Sequence, residues 1–394
     1  MKQFQQSKTL GSLPKQFFAK LVQKVEKVKQ DHDDVINLGQ GNPDQPTPLH
    51  IVKALQEAAA NPLYHKYSPF RGYGFLKEAV ATYYQREYDV VLDPHTEVAV
   101  MFGTKTGLVE ISQCLLNQGD IALVPDPGYP DYWSGVVMAG GEMSFMPLLE
   151  ENKYLPDFTK ITEETFEKAK LMFLNYPNNP TGAVATKELF EEAIMLGEKH
   201  DICIVHDFAY GAIGFDEQKP LSFMQVPGAK NVGVEMMTLS KTYNMAGWRV
   251  GFAVGNPSVI EALNLIQDHY YCSVFGGIQE AAATALLESQ SCVDELVSQY
   301  ESRRNVFIEA LSEIGWKVEA PKGSFFAWLP IPPTYSSEQF ADLLLEKARV
   351  VVAPGNGFGQ FGEGYVRVGL LSDEDQLREA ARRIGELEIE WGNV

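Results

Sequence analysis

The chain has 394 residues, 45% hydrophobic and 22% charged, with 22 Phe and 17 Tyr; it has length for two or three domains and apolar content for a sizeable core. Its formal net charge of −19 argues against nucleic acid or an anionic membrane as the main partner, while leaving room for a local basic pocket. No apolar run approaches the roughly 20 residues that span a bilayer, and the polar start MKQFQQSK lacks a signal peptide's apolar segment, so a cytoplasmic protein is expected.

In chain order, Ser12-Leu13-Pro14 begins an amphipathic helix with Phe17, Phe18, Leu21, Val22, Val25 and Val28 on one stripe. Thr47-Pro48 opens a second helix in the same way. Short apolar runs come next at 97–102, 121–125, 171–174, 202–205, 236–239 and 250–254, with helical stretches such as 108–116 and Lys187–His200 between them. That alternation predicts βα units and a largely parallel sheet covered on both faces. Cys114, Cys203, Cys272 and Cys292 form no CxxC pair and no zinc-ligand spacing, so reduced thiols and no metal are expected. Beyond about residue 285 come a long helix, strand-like runs at 316–319, 324–329, 350–353 and 365–370, a helix near 337–347 and a final helix. The expected organisation is a large domain over 48–285 and a smaller α+β domain from 1–47 and 286–394.

Ligands of open α/β sheets bind beyond the carboxyl ends of the strands. Five such ends carry polar or aromatic residues here: Gly103-Thr104-Lys105, Asp126-Pro127-Gly128-Tyr129, the NNPTG turn at 178–182, His206-Asp207 with Tyr210, and Ser240-Lys241. Each alone is ordinary turn or cap chemistry. A lysine directly after an apolar strand is less ordinary, although such a side chain can simply snorkel to solvent.

The segment 238–251, TLSKTYNMAGWRVG, resembles the cofactor-lysine motif of class I/II aminotransferases, fold type I enzymes that use pyridoxal 5′-phosphate. The rest of that family's pattern occurs in order: GQGNPD at 39–44, Gly103-Thr104-Lys105, NNPTG at 178–182, Asp207 with Tyr210, and YVRVG at 365–369. Within the family the chain resembles most the methionine-salvage transaminases of bacilli, which aminate 4-methylthio-2-oxobutanoate and prefer glutamine as donor.

The resemblance implies roles. Lys241 would bond the cofactor's aldehyde and, once freed, carry the substrate Cα proton; Asp207 would hold the proton of the pyridine nitrogen, and Tyr210 and Asn179 would bond the ring oxygen. Arg249, Thr238, Ser240, Lys105 and the backbone at Gly103 and Thr104 would take the phosphate. Tyr129 would stack on the ring, and Tyr67 would reach the phosphate of a second subunit, which makes the expected unit a homodimer with shared sites. Arg367, Gly41 and Asn179 would bind the substrate carboxylate, and ping-pong kinetics are expected. An apolar cleft involving Phe17, Phe18 and Tyr129 would suit a thioether side chain.

Other readings are a broader 2-oxo acid, aromatic or LL-diaminopimelate aminotransferase, or a carbon–sulfur lyase using the same lysine and aspartate. A cofactor-binding transcription regulator would need a DNA-binding domain, and only residues 1–38 precede the GQGNPD motif. The GxGxxG at 357–362 is succeeded by another strand-like run rather than a helix, so it is read as a flexible glycine loop near the site and not a dinucleotide fingerprint. His206 is expected to pack or to support its neighbour, and Arg71 to pair with a carboxylate at a surface or subunit interface.

Overall fold

The computed structural model describes residues 1–14 and 17–391, and for residues 17–20 the backbone alone. A two-residue strand, β1 (Ile36–Asn37), is followed by seven strands of one sheet: β2 (Val98–Met101), β3 (Ile121–Asp126), β4 (Glu142–Pro147), β5 (Ala169–Asn175), β6 (Cys203–Asp207), β7 (Gly233–Thr238) and β8 (Gly251–Gly255). Their order is β2-β8-β7-β6-β5-β3-β4. The pairs from β4 to β7 are parallel, and β8 runs antiparallel to both β7 and β2. The sheet is thus mostly parallel with helices on both faces, as expected. Strand β4 gave no sequence signal because it is an edge strand whose residues are mostly part-exposed, so it needs no continuous apolar run.

Successive residues of a strand face opposite sides. Leu171 and Phe173 of β5 pack with Leu108, Ile111, Tyr132 and Val136 of the helices Thr104–Leu115 and Asp131–Ala139. Met172 and Leu174 belong to the opposite layer, with Val80, Phe190 and Phe252. A separate core joins Ile36 and Leu38 to Phe307, Trp316, Leu329, Phe340, Val366 and Ile384. It covers β9 (Phe326–Pro330), β10 (Val350–Val351), β11 (Ala353–Pro354) and β12 (Tyr365–Gly369), ordered β11-β12-β9, with β10 parallel to β1.

Three local expectations change. Residues 316–319 form no strand. Trp316 is apolar there because its ring stacks on Trp391 at 4.4 Å and its Nε1 donates to the Pro330 carbonyl at 2.9 Å. The N-terminal helix is Phe17–Lys29, preceded by a separate turn at Lys8–Gly11, and its buried line is Leu21, Val25 and Val28 against Leu345 and Val351; Val22 is exposed. The helix at Ser337–Leu343, started by a Ser336/Gln339 capping box, passes into a wider π-type turn at Leu344–Ala348. Among the described residues no helix is long and apolar enough to cross a membrane.

The reversed strand β8 positions the site. Because it is antiparallel, its start lies at the same sheet edge as the ends of β2 and β7, with Gly251 opposite both Met101 and Thr238. Phe252 lies inside this strand with 0% exposure. Phe252→Ala should therefore cost about 3–5 kcal/mol of unfolding free energy, measurable by urea denaturation, by leaving a cavity between the sheet and its helices.

Candidate active site

A cleft of about 460 Å³ opens at the carboxyl ends of the parallel strands. It is lined by every predicted site residue except Gly103 and Tyr67. Such a crevice is where an open α/β sheet presents its loops, and several charged groups are buried there.

Lys241 sits in the short helix Leu239–Thr242 directly after β7, capped by the Thr238 hydroxyl, which accepts from the Ser240 N–H at 3.2 Å. Its Nζ donates to the Gly41 carbonyl at 2.8 Å. Burial, and then the nearby charges of Arg367 and Arg249, push its amine down to about 8. The lysine does not snorkel; it is held inside.

Asp207 ends β6 and is 5% exposed. Oδ2 accepts from the Tyr132 hydroxyl at 2.8 Å, whereas Oδ1 is buried with no hydrogen-bond partner. Burial raises its carboxyl to about 6. The carboxylate is thus aligned by the Tyr132 hydroxyl, with the Ala209 backbone also favouring its charged form, while Oδ1 meets no well-placed donor among the described residues.

Arg367, on β12, donates from Nη1 to Asn179 Oδ1 at 2.9 Å and from Nη2 to the Gly39 carbonyl at 3.0 Å. Its guanidinium lies 4.0 Å from the Phe326 ring centre and 4.6 Å from that of Phe358, and burial lowers it to about 10. A Cβ at Gly41 would meet the Phe326 ring at 3.2 Å, so the glycine lets this loop approach the arginine.

At the other end of the cleft, Gly103 has φ +77° and precedes the helix Thr104–Leu115. A Cβ there would stand 2.5 Å from Arg249 Nη2. Arg249 is held by the carbonyls of Ala246 at 2.9 Å and Phe102 at 3.3 Å. A helix start, an arginine and the hydroxyls of Thr238 and Ser240 together form a suitable seat for a phosphate-like anion. Lys105 instead pairs with Asp131 at 2.9 Å on the cleft wall.

Tyr129 packs edge-on to Tyr132 at 5.7 Å, and Tyr210 edge-on to Phe325 and Phe326 at 5.2 and 5.7 Å. Tyr67 lies 90% exposed on the surface, away from this cleft. The expected contribution of Phe17 and Phe18 falls on side chains outside the described residues.

Sequence reasoning did not single out Asn175 or Tyr132. Asn175 Nδ2 donates to the Asp207 carbonyl and its Oδ1 accepts from the Asn179 N–H, both at 2.8 Å. Its signal was available in the register, because Asn175 ends β5 directly beside Asp207. Tyr132 reaches Asp207 only through the packing of its helix, which no local pattern reports.

The glycine loop is clasped onto the strand end at Asp126. Gln360 and Phe361 donate their N–H groups to Asp126 at 3.0 and 2.9 Å, and Gly128 N–H donates to the Phe358 carbonyl at 2.8 Å. Gly357 lines the cleft. Arg71 pairs with the exposed Glu261 at 2.7 Å and the half-buried Asp268 at 3.4 Å.

This geometry has two testable consequences. The Asp207 carboxyl holds its proton more tightly folded than unfolded, so its contribution to stability falls as pH rises from about 4 through about 6. Asp207→Asn should then stabilise the ligand-free protein by up to about 3 kcal/mol at pH 7 and by almost nothing at pH 4, in urea denaturation at both pH values. Gly103→Ala should displace Arg249 and weaken binding of a phosphate-bearing ligand by about tenfold or more, read by calorimetry.

The family model for aminotransferase class I and II matches residues 33–384. An L-glutamine–4-(methylsulfanyl)-2-oxobutanoate aminotransferase of Bacillus subtilis is 65% identical, over 98% of this chain and 97% of its own. An LL-diaminopimelate aminotransferase of Moorella thermoacetica is 43% identical, over 96% and 97%. The substrate-bound structure of BacF from Bacillus subtilis superposes with a TM-score of 0.95 at 51% identity, covering 100% of both chains.

Proposed function

The chain belongs to the class I and II aminotransferases, and on that premise we propose that it transfers the amino group of glutamine to 4-methylthio-2-oxobutanoate, giving methionine, with pyridoxal 5′-phosphate in the cleft. The cofactor reading is carried by one observation: the buried, unpartnered Oδ1 of Asp207 on the wall of a cleft that also holds Lys241. A protonated pyridine nitrogen supplies the donor this oxygen lacks, and the Gly103–Arg249 end suits the phosphate. The substrate reading rests on the 65% identity to the Bacillus subtilis relative.

When bound, the cofactor supplies the electron sink that makes the substrate Cα–H acidic. Asp207 would keep a proton on the ring nitrogen, and Tyr132 keeps Asp207 aimed. Lys241 would hold the cofactor, and its free amine would move the Cα proton; an amine at about 8 has a usable neutral fraction near neutral pH and still returns the proton. Arg249, Thr238, Ser240 and the backbone at Gly103 and Thr104 would bind the phosphate, with the Lys105–Asp131 pair on the wall beside it. Tyr210 and Asn179 would bond the ring oxygen, and Tyr129 would lie against the ring. Arg367 grips the α-carboxylate of donor and acceptor in turn, beside Gly41. The exposed Tyr67 suits a contact with the phosphate of a second copy, in a homodimer.

An LL-diaminopimelate aminotransferase is the second reading, favoured by the 43% identity to the Moorella thermoacetica relative. Initial-rate plots with glutamine and 4-methylthio-2-oxobutanoate should give parallel lines, and kcat/KM for this acceptor should exceed that measured with LL-diaminopimelate as donor. Intersecting lines would refute alternating use of one site, and the opposite preference would favour the second reading. Lys241→Ala should lower turnover by about a thousandfold or more while the protein stays folded.

A further inference from the structure

A buried polar cluster behind Asp207 has no part in the chemistry above. His206 and Glu235 are register neighbours on β6 and β7, both with 0% exposure, and His206 Nδ1 lies 2.9 Å from Glu235 Oε2. His206 Nε2 lies 3.1 Å from the Tyr176 carbonyl oxygen. That oxygen only accepts, so Nε2 carries a proton. Glu235 also accepts from the Tyr84 hydroxyl at 2.8 Å, the Ser222 hydroxyl at 2.7 Å and the Phe223 N–H at 2.7 Å. Donors on both oxygens fit a Glu235 carboxylate, the form in which the proton facing it belongs to the imidazole.

The groups around it leave this assignment intact. Phe190, Phe208 and Phe223 pack against the His206 ring and bring no charge. Tyr84 and Tyr88, from the helix Gly74–Tyr88, are pushed well above the usual tyrosine range by burial and by the Glu235 charge, so both stay neutral. Asp207, next along β6, is a further ionisable neighbour, and His206 lowers its carboxyl against the larger effect of burial.

An ion pair buried this deeply is a weak source of stability, because desolvation offsets most of the attraction. Its placement is more informative. His206 grips Tyr176, and the preceding Asn175 bonds both Asp207 and Asn179, which in turn accepts from Arg367. Glu235 lies on β7, the strand that delivers Thr238 and Lys241. One pair therefore ties together the three strand ends that carry the site.

We propose that the His206–Glu235 pair is a positioning unit for the active site, holding the ends of β5, β6 and β7 in one geometry and placing a fixed positive charge behind Asp207 so that the proton shared with the cofactor stays on the ring nitrogen. This rests on the pyridoxal phosphate reading above. In the cofactor-free wild type, nitrogen-15 spectra of the His206 ring, assigned with His206→Asn, should show both nitrogens protonated at pH 7; an unprotonated Nδ1 overturns the proposal. Glu235→Gln keeps the shape and removes the counterion. It should weaken pyridoxal phosphate binding by about tenfold or more and lower kcat, with KM for the amino donor within about twofold. Tyr84→Phe, which removes one donor from Glu235, is the milder probe and should shift the affinity about threefold the same way. Wild-type affinity in either folded variant would mean a pair that only packs, and overturns the proposal. If the wild type itself binds no pyridoxal phosphate, the functional reading fails instead, whatever the state of the ring.

Discussion

The desolvation of three ionisable groups in one cleft is the constraint on which the rest of this structure depends. Lys241, Asp207 and Arg367 are each held away from their ordinary ionisation by burial, and their charges act on one another across the cleft. Burying such groups disfavours the folded state unless partners are supplied. The protein supplies some of them. Tyr132 donates to Asp207, the Gly41 carbonyl accepts from Lys241, and Asn179 and Gly39 accept from Arg367. It leaves Asp207 Oδ1 without a well-placed donor among the described residues. The stability forgone there is what a ligand with a protonated ring nitrogen restores on binding, so affinity and instability of the empty site share one origin.

Sheet topology turns that constraint into a geometry. Parallel strands β5, β6 and β7 end side by side and deliver Asn175, Asp207 and Thr238, with Lys241 one turn on. The reversed strand β8 brings Arg249 back to the same edge, next to Gly103 at the end of β2. The second core contributes Arg367 from β12 and closes the other side. Each group is thus carried on, or directly after, a regular element. That suits chemistry in which small displacements of the reacting atoms cost rate.

Much of this was legible in the sequence, for a physical reason. Strands buried on both faces are continuous apolar runs, and the residues that end each run lie, by topology, near the ligand. Those after β2, β3, β5, β6 and β7 were therefore readable as a set. The features that escaped depend on packing between distant elements. Tyr132 is an ordinary aromatic in its helix until tertiary structure brings its hydroxyl to Asp207. The Lys105–Asp131 pair joins two helices and leaves no periodic trace. Edge strand β4 is too exposed to read as apolar, and Trp316 imitated a strand because its neighbours in space are Trp391 and Phe340. The GxGxxG stretch was separable from a dinucleotide motif by context, but its attachment to Asp126 was not visible.

The central claim is that this cleft is completed by pyridoxal phosphate and works on a methionine-type substrate. The most direct measurement is the visible absorbance of the purified protein with added pyridoxal phosphate, before and after methionine. The expected result is a yellow band that methionine bleaches as 4-methylthio-2-oxobutanoate is released. No band in the presence of excess pyridoxal phosphate would contradict it.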